Sequence, residues 1–112
     1  MDLKEKLLKA GAPRSEIVSI DGVKIKIQEM TGADRDRLLK ASMHRNKLDD
    51  DLWSENLMLF SVRDPKTGER LLTKDDLEEL KKTGMHLLSV IEGTALRING
   101  IGATEAEQAE KN

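Results

Sequence analysis

Leu71 to Ile101, LLTKDDLEELKKTGMHLLSVIEGTALRINGI, carries the clearest helix signals in the chain. It predicts two consecutive helices with a marked start, a break and a marked stop. The Thr73 hydroxyl can accept from the free N–H groups of a first helical turn. Asp76 stands three residues on, where a capping box carries its acceptor, and Leu72 and Leu77 match a hydrophobic staple across the cap. Asp75, Asp76, Glu78 and Glu79 suit the positive end of the helix dipole, and Lys81 and Lys82 the negative end. Gly84 breaks or bends the run. The second helix is predicted from about Met85 to Ile98, with Leu87, Leu88, Ile91, Thr94, Ala95 and Ile98 on roughly one third of its circumference. Asn99-Gly100 predicts a Schellman ending, because glycine takes the left-handed conformation at no steric cost. Ile101 would then fold back toward Leu96, which points away from the main stripe. Leu96 is expected either in that capping contact or against another subunit.

Upstream, EIVSI and VKIKIQ flank Asp21-Gly22, the dipeptide favoured in two-residue hairpins. Such a loop sets Ile20 opposite Val23, Val18 opposite Ile25 and Glu16 opposite Ile27 on one largely apolar face. Ile17, Ser19, Lys24 and Lys26 share the other. A lone hairpin is unstable in water, so helices must cover the apolar face, unless a neighbouring subunit recruits the edge strand. Before the hairpin, Asp2 to Ala10 predicts a short helix with Leu3, Leu7 and Leu8 on one side and Gly11 as its stop. Helices this short are marginal alone. This one must dock on the core, dock on a partner, or fray.

After the hairpin, Thr31 to Asp34 opens another helix with a Thr-x-x-acid start, expected to run to about Arg45. Leu38, Leu39, Ser42 and Met43 form its narrow apolar side. Asn46 to Asp51 is expected to be a polar connection, with Asp50 or Asp51 capping the next helix. Leu52 to Val62 is apolar on more than one side: Trp53, Leu57 and Phe60 form one stripe, with Leu52, Leu59 and Val62 well round from it. Such a helix is either central or half-covered by another chain. Leu52, Leu59, Val62 and Leu96 are therefore the candidate residues for self-association or partner contact. Arg63 to Arg70, RDPKTGER, has the composition of a surface turn. Residues 1–102 are expected to form a single domain, and 103–112 a flexible polar tail.

Composition narrows the function. The chain has 112 residues, 36% of them charged and 2% aromatic, with a net charge of −2. One modest aliphatic core fits that length. The small negative charge disfavours nucleic acid, which wants a clustered basic excess. With no cysteine, disulfides and thiolate metal sites are excluded. No run approaches the length of a membrane span, and the N-terminus lacks a signal core, so a cytoplasmic location is expected. His44 and His86 fall on separate predicted helices without a zincin-like spacing. Asp49-Asp50-Asp51 lacks the alternating ligands of a calcium loop, as does Asp64 to Glu69. Phosphate-loop, dinucleotide and Ser-His-acid patterns are missing too. No catalytic role and no cofactor are expected.

Three segments taken together carry a family resemblance: VKIKIQEMTGADRDRLL, LFSVRDPKTGERLLTKDDLEEL and SVIEGTALRINGIG. They contain an early hairpin, an aromatic-Ser-Val-x-Asp-x-x-Gly-x-Arg-Leu loop at Phe60 to Leu71, a Thr-x-x-Asp-Leu helix start at Thr73 to Leu77, and a final helix ending in Asn-Gly. In that order the chain resembles the tail assembly chaperones of long-tailed (siphophage-type) bacteriophages and prophages, over roughly residues 16 to 102. The resemblance implies an α+β, mainly α domain in which one hairpin packs against four to five short helices. It also implies a homo-oligomer in the host bacterial cytoplasm that binds the tape measure protein and helps tail-tube subunits assemble around it, without entering the mature virion. A longer, frameshifted form with a second domain belongs to the same pattern. The scarcity of aromatics departs from what interface hot spots favour. Two other readings fit the composition: a minor structural tail or connector protein, and a small DNA-binding regulator, which the acidic residues Asp34 and Asp36 in its most basic helix disfavour.

Overall fold

Asp21 and Gly22 adopt φ of 49° and 82°, the paired left-handed conformations of a type I′ turn. Around them, in a computed structural model that describes residues 1–101, strands β1 (Ser15–Ile20) and β2 (Val23–Gln28) form an antiparallel hairpin. The tail expected at 103–112 lies outside the described residues. Ile20 pairs with Val23, Val18 with Ile25 and Glu16 with Ile27, the register the two-residue loop dictates. Ile25 and Ile27 are buried and Lys24 is exposed, so the apolar face is the inner one. The sheet has a third strand where the sequence predicts the end of a helix at Val62 and the start of a turn at Arg63. The helix expected through Val62 stops at Ser61, and β5 (Val62–Arg63) pairs with β2 through Ile27–Val62 and Lys26–Arg63. β2 is thus the central strand, in the order β1-β2-β5.

Helix α2 (Gly32–Ala41) begins with the capping box its sequence predicts. The Asp34 N–H donates to Thr31 Oγ1 at 3.1 Å, and the Thr31 N–H donates to Asp34 Oδ2 at 3.2 Å. It ends earlier than expected. Arg45 and Asn46 both take positive φ, 52° and 63°, and turn the chain through a small hairpin of β3 (Met43–His44) and β4 (Lys47–Leu48). The segment expected to be a connection is therefore partly strand. The next helix, α3 (Asp50–Ser61), is capped by Asp49 rather than by Asp50 or Asp51. The Asp49 carboxylate accepts from the Leu52 N–H at 3.0 Å, and Asp50 and Asp51 occupy the first turn, where the dipole favours them.

From Asn56 to Ser61 every residue of α3 is buried. The central reading of this helix holds, because α2, the helix α5 (Met85–Ile98) and the sheet all contact it. Leu57 and Phe60 join Ile25, Ile27, Leu38 and Val62 in the main core. Two buried polar side chains are paired between helices: the Ser42 hydroxyl donates to the Leu38 carbonyl at 2.7 Å and accepts from Asn56 Nδ2 at 3.3 Å. This satisfies groups whose burial alone would be costly.

The motif loop from Phe60 to Leu71 is a structural clasp. Asp64 Oδ1 accepts from the Lys66 N–H at 2.7 Å, an Asx turn, and Gly68 takes the positive φ of 74° that closes the loop. Arg70 sits 4.3 Å from the Phe60 ring centroid, and its Nε donates to the Leu59 carbonyl at 3.2 Å in the last turn of α3. One guanidinium thus serves a π face and a helix-end acceptor together. Replacing Arg70 with alanine is expected to lower stability by about 1 kcal/mol, from the lost cation–π contact and the unmatched carbonyl. A shift of the urea midpoint at unchanged slope would register this; Arg70→Lys should recover only part of it.

The organising stretch keeps its two helices, with the first shortened. A single 3-10 turn at Lys74–Asp76 leads into α4 (Leu77–Lys81). The Asp76 carboxylate accepts from the Thr73 N–H at 2.7 Å. Helix α5 (Met85–Ile98) has the expected bounds, and its buried residues Ile91, Thr94, Ala95 and Ile98 lie on the expected stripe. Its end is a full Schellman motif. The Gly100 N–H donates to Arg97 O at 3.0 Å and the Ile101 N–H donates to Leu96 O at 2.9 Å, with Gly100 at φ 68°.

Candidate functional site

Leu59 and Val62, two of the four candidate contact residues, are each only 1% exposed. The reading that set them on a partner-facing flank is corrected by the fold. Leu59 is enclosed because α3 runs through the middle of the protomer. Val62 is enclosed because it has left the helix for the sheet. Leu52 is half-buried near the start of α3, and Leu96 is half-buried in the capping arrangement at the end of α5. The four do not make one surface.

Among the described residues, two aliphatic surfaces lie elsewhere. The first is α1 (Leu3–Ala10). Asp2 caps it, accepting from the Glu5 N–H at 2.8 Å, and the Gly11 N–H closes it onto Leu7 O at 3.0 Å. Yet no residue of α1 is buried, and Leu3, Leu7 and Leu8 are 82%, 68% and 67% exposed. Their i, i+4, i+5 spacing puts them on one side of the helix. Of the fates open to this helix from sequence, docking on its own core is not the one the chain adopts.

The second is a groove of about 380 Å³ at the turn end of the hairpin, between the sheet and helices α4 and α5. Ile25, Val62, Leu80 and Ile91 are its buried walls, and Val23 and Leu71 stand exposed on its rim beside Asp21. Val62 thus meets the surface only as part of this groove. Leu72 also lines it, and its staple partner Leu77 packs against the core alongside. Apolar Val23 directly after the turn and Leu71 before the Thr73 cap were the sequence signals for this site. Both are apolar where a turn flank is ordinarily polar.

A different depression, about 420 Å³, mixes Glu29, Thr31 and Arg35 with Met30, Leu39 and Trp53. Trp53, from the stripe shared with Leu57 and Phe60, is only half-buried there. Two ion pairs tie elements of the fold together. Hydrogen bonding and attraction from Glu55 raise the pKa of Lys81, tying α4 to α3. Glu16 does the same for Arg97, 2.9 Å away, tying β1 to α5. His44 and His86 are exposed, and among the described residues no three His, Asp or Glu side chains gather as a metal site. Among those residues no helix is long and apolar enough to cross a membrane. No family model, curated protein or solved structure matches the chain.

Proposed function

We propose that this protein is a tail assembly chaperone of a long-tailed bacteriophage or prophage. In this reading it transforms no molecule. It self-associates, binds the tape measure protein in the host bacterial cytoplasm and promotes tail-tube assembly without entering the mature virion. The observation that carries the reading is aliphatic surface left uncovered by a protomer whose core is already closed: the Leu3, Leu7 and Leu8 side of α1 and the apolar groove. Isolated apolar residues on a surface are ordinary, but a helix side and a groove of this kind mark protein contacts. High charge content keeps such a chain in solution. The ordered motifs from Phe60 to Gly100 supply the family. Their residues build the clasp and the helix stop, so the resemblance rests on fold-determining positions.

Two experiments test it. Co-expression with a tape measure fragment should give a complex that survives purification. Mass spectrometry of purified particles should find tail-tube and tape measure proteins but not this chain; its stoichiometric presence would make it a structural tail component instead.

A further inference from the structure

We propose that α1 is an exchange arm whose leucines seat in the apolar groove of a second copy of this chain. The two uncovered surfaces match in chemistry. The arm offers Leu3, Leu7 and Leu8, and the groove is walled by aliphatic side chains and almost nothing polar. Charge matches as well. Over Leu3–Ala10 the arm carries Lys4, Lys6 and Lys9 against Glu5 alone. The segment from Leu72 to Leu80, whose two ends line the groove, carries Asp75, Asp76, Glu78 and Glu79 against Lys74, and Asp21 lies on the rim.

The occupant is another copy because in the protomer the arm's leucines stay exposed and its root is held at the opposite end of the hairpin from the groove. Arg14 is pinned at that open end: its N–H donates to Glu29 Oε1 at 3.1 Å, its carbonyl accepts from the Glu29 N–H at 2.8 Å, and its guanidinium reaches the Ile98 carbonyl at 3.2 Å. Between Arg14 and the helix stop at Gly11 only Ala12 and Pro13 remain, and the groove lies roughly 17 Å away along β1. Covering the arm's leucines also explains how so short a helix persists, since eight residues with every face in water are marginal. Arm and groove are different patches, so each contact leaves a free arm or a free groove until the assembly closes on itself. The proposal deepens the self-association in the functional reading and rests on it only there.

Sedimentation velocity of the full chain over a concentration series, without any partner, tests it. Leu7→Glu should move the association midpoint more than tenfold to higher concentration. At concentrations where both chains are monomeric, its circular dichroism and melting should match wild type, because Leu7 is 68% exposed in the protomer. The chain has no cysteine, so placed thiols report cleanly. An oxidised mixture of the L7C and V23C chains should form mixed disulfide dimers at least several-fold faster than L7C with I17C, an equally accessible position on the other face of the hairpin. An unchanged midpoint for Leu7→Glu, or equal cross-linking at Ile17 and Val23, overturns the exchange. A wild-type chain that stays monomeric yet binds the tape measure fragment overturns it too, and leaves the chaperone reading standing. Arm-dependent oligomers that bind no fragment support the exchange and count against that reading.

Discussion

Leu59→Ala is expected to destabilise the isolated protomer by about 2–5 kcal/mol, the range for deleting most of a buried leucine and leaving a cavity. Leu59 is among the largest fully buried side chains, on a helix enclosed by α2, α5 and the sheet. A small domain holds only about 5–15 kcal/mol in total, so the loss would bring the variant close to unfolding at ambient temperature. Denaturant unfolding in dilute solution, where self-association is absent, measures it. Were Leu59 a subunit contact, dilute stability would not change and only the association midpoint would move. The same experiment on Leu52, half-buried at the start of α3, should give a clearly smaller loss.

Asn99→Ala should cost about 1–3 kcal/mol, the penalty for stranding a partly buried hydrogen-bonding group. Asn99 follows the last turn of α5 and bonds two ways. Its Oδ1 accepts from the Met30 N–H at 2.9 Å, and its Nδ2 donates to the Ala95 carbonyl at 2.8 Å. The first bond ties the end of α5 to the segment between β2 and α2, far away in sequence. Asn99→Asp keeps the acceptor and loses the donor, so its stability should fall between wild type and alanine. Hydrogen exchange at the Met30 amide separates this role from a purely local cap. Exchange should quicken in the alanine variant and stay slow in the aspartate one.

Elements whose signals are local were legible in the sequence. Asp21-Gly22 determines a turn from two residues, and its loop length sets the whole register of β1 and β2. Asn99-Gly100 likewise set the stop of α5, including the return of Ile101 onto the Leu96 carbonyl. Elements held by distant partners were not. Val62 and Arg63 become a strand because β2 offers an open edge, and apolar periodicity alone cannot say where a buried run leaves helix for sheet. Arg45-Asn46 turns the chain at positive φ although arginine is no usual turn residue. The candidate contact residues failed for a related reason. Being apolar on a second side marks a helix as covered there without saying by what, and for Leu59 and Val62 the cover is the protomer itself. The leucines of α1 were legible as a stripe, but their exposure depends on the short linker and on how Arg14 is held, which pattern does not express.

If this chain acts by presenting aliphatic surface to other proteins, calorimetric titration of the purified protein with a heptad-rich segment of the tape measure protein should show saturable binding with a negative heat-capacity change, the mark of apolar burial. A folded protein that neither binds such a segment nor associates with itself at high concentration would contradict that mode of action.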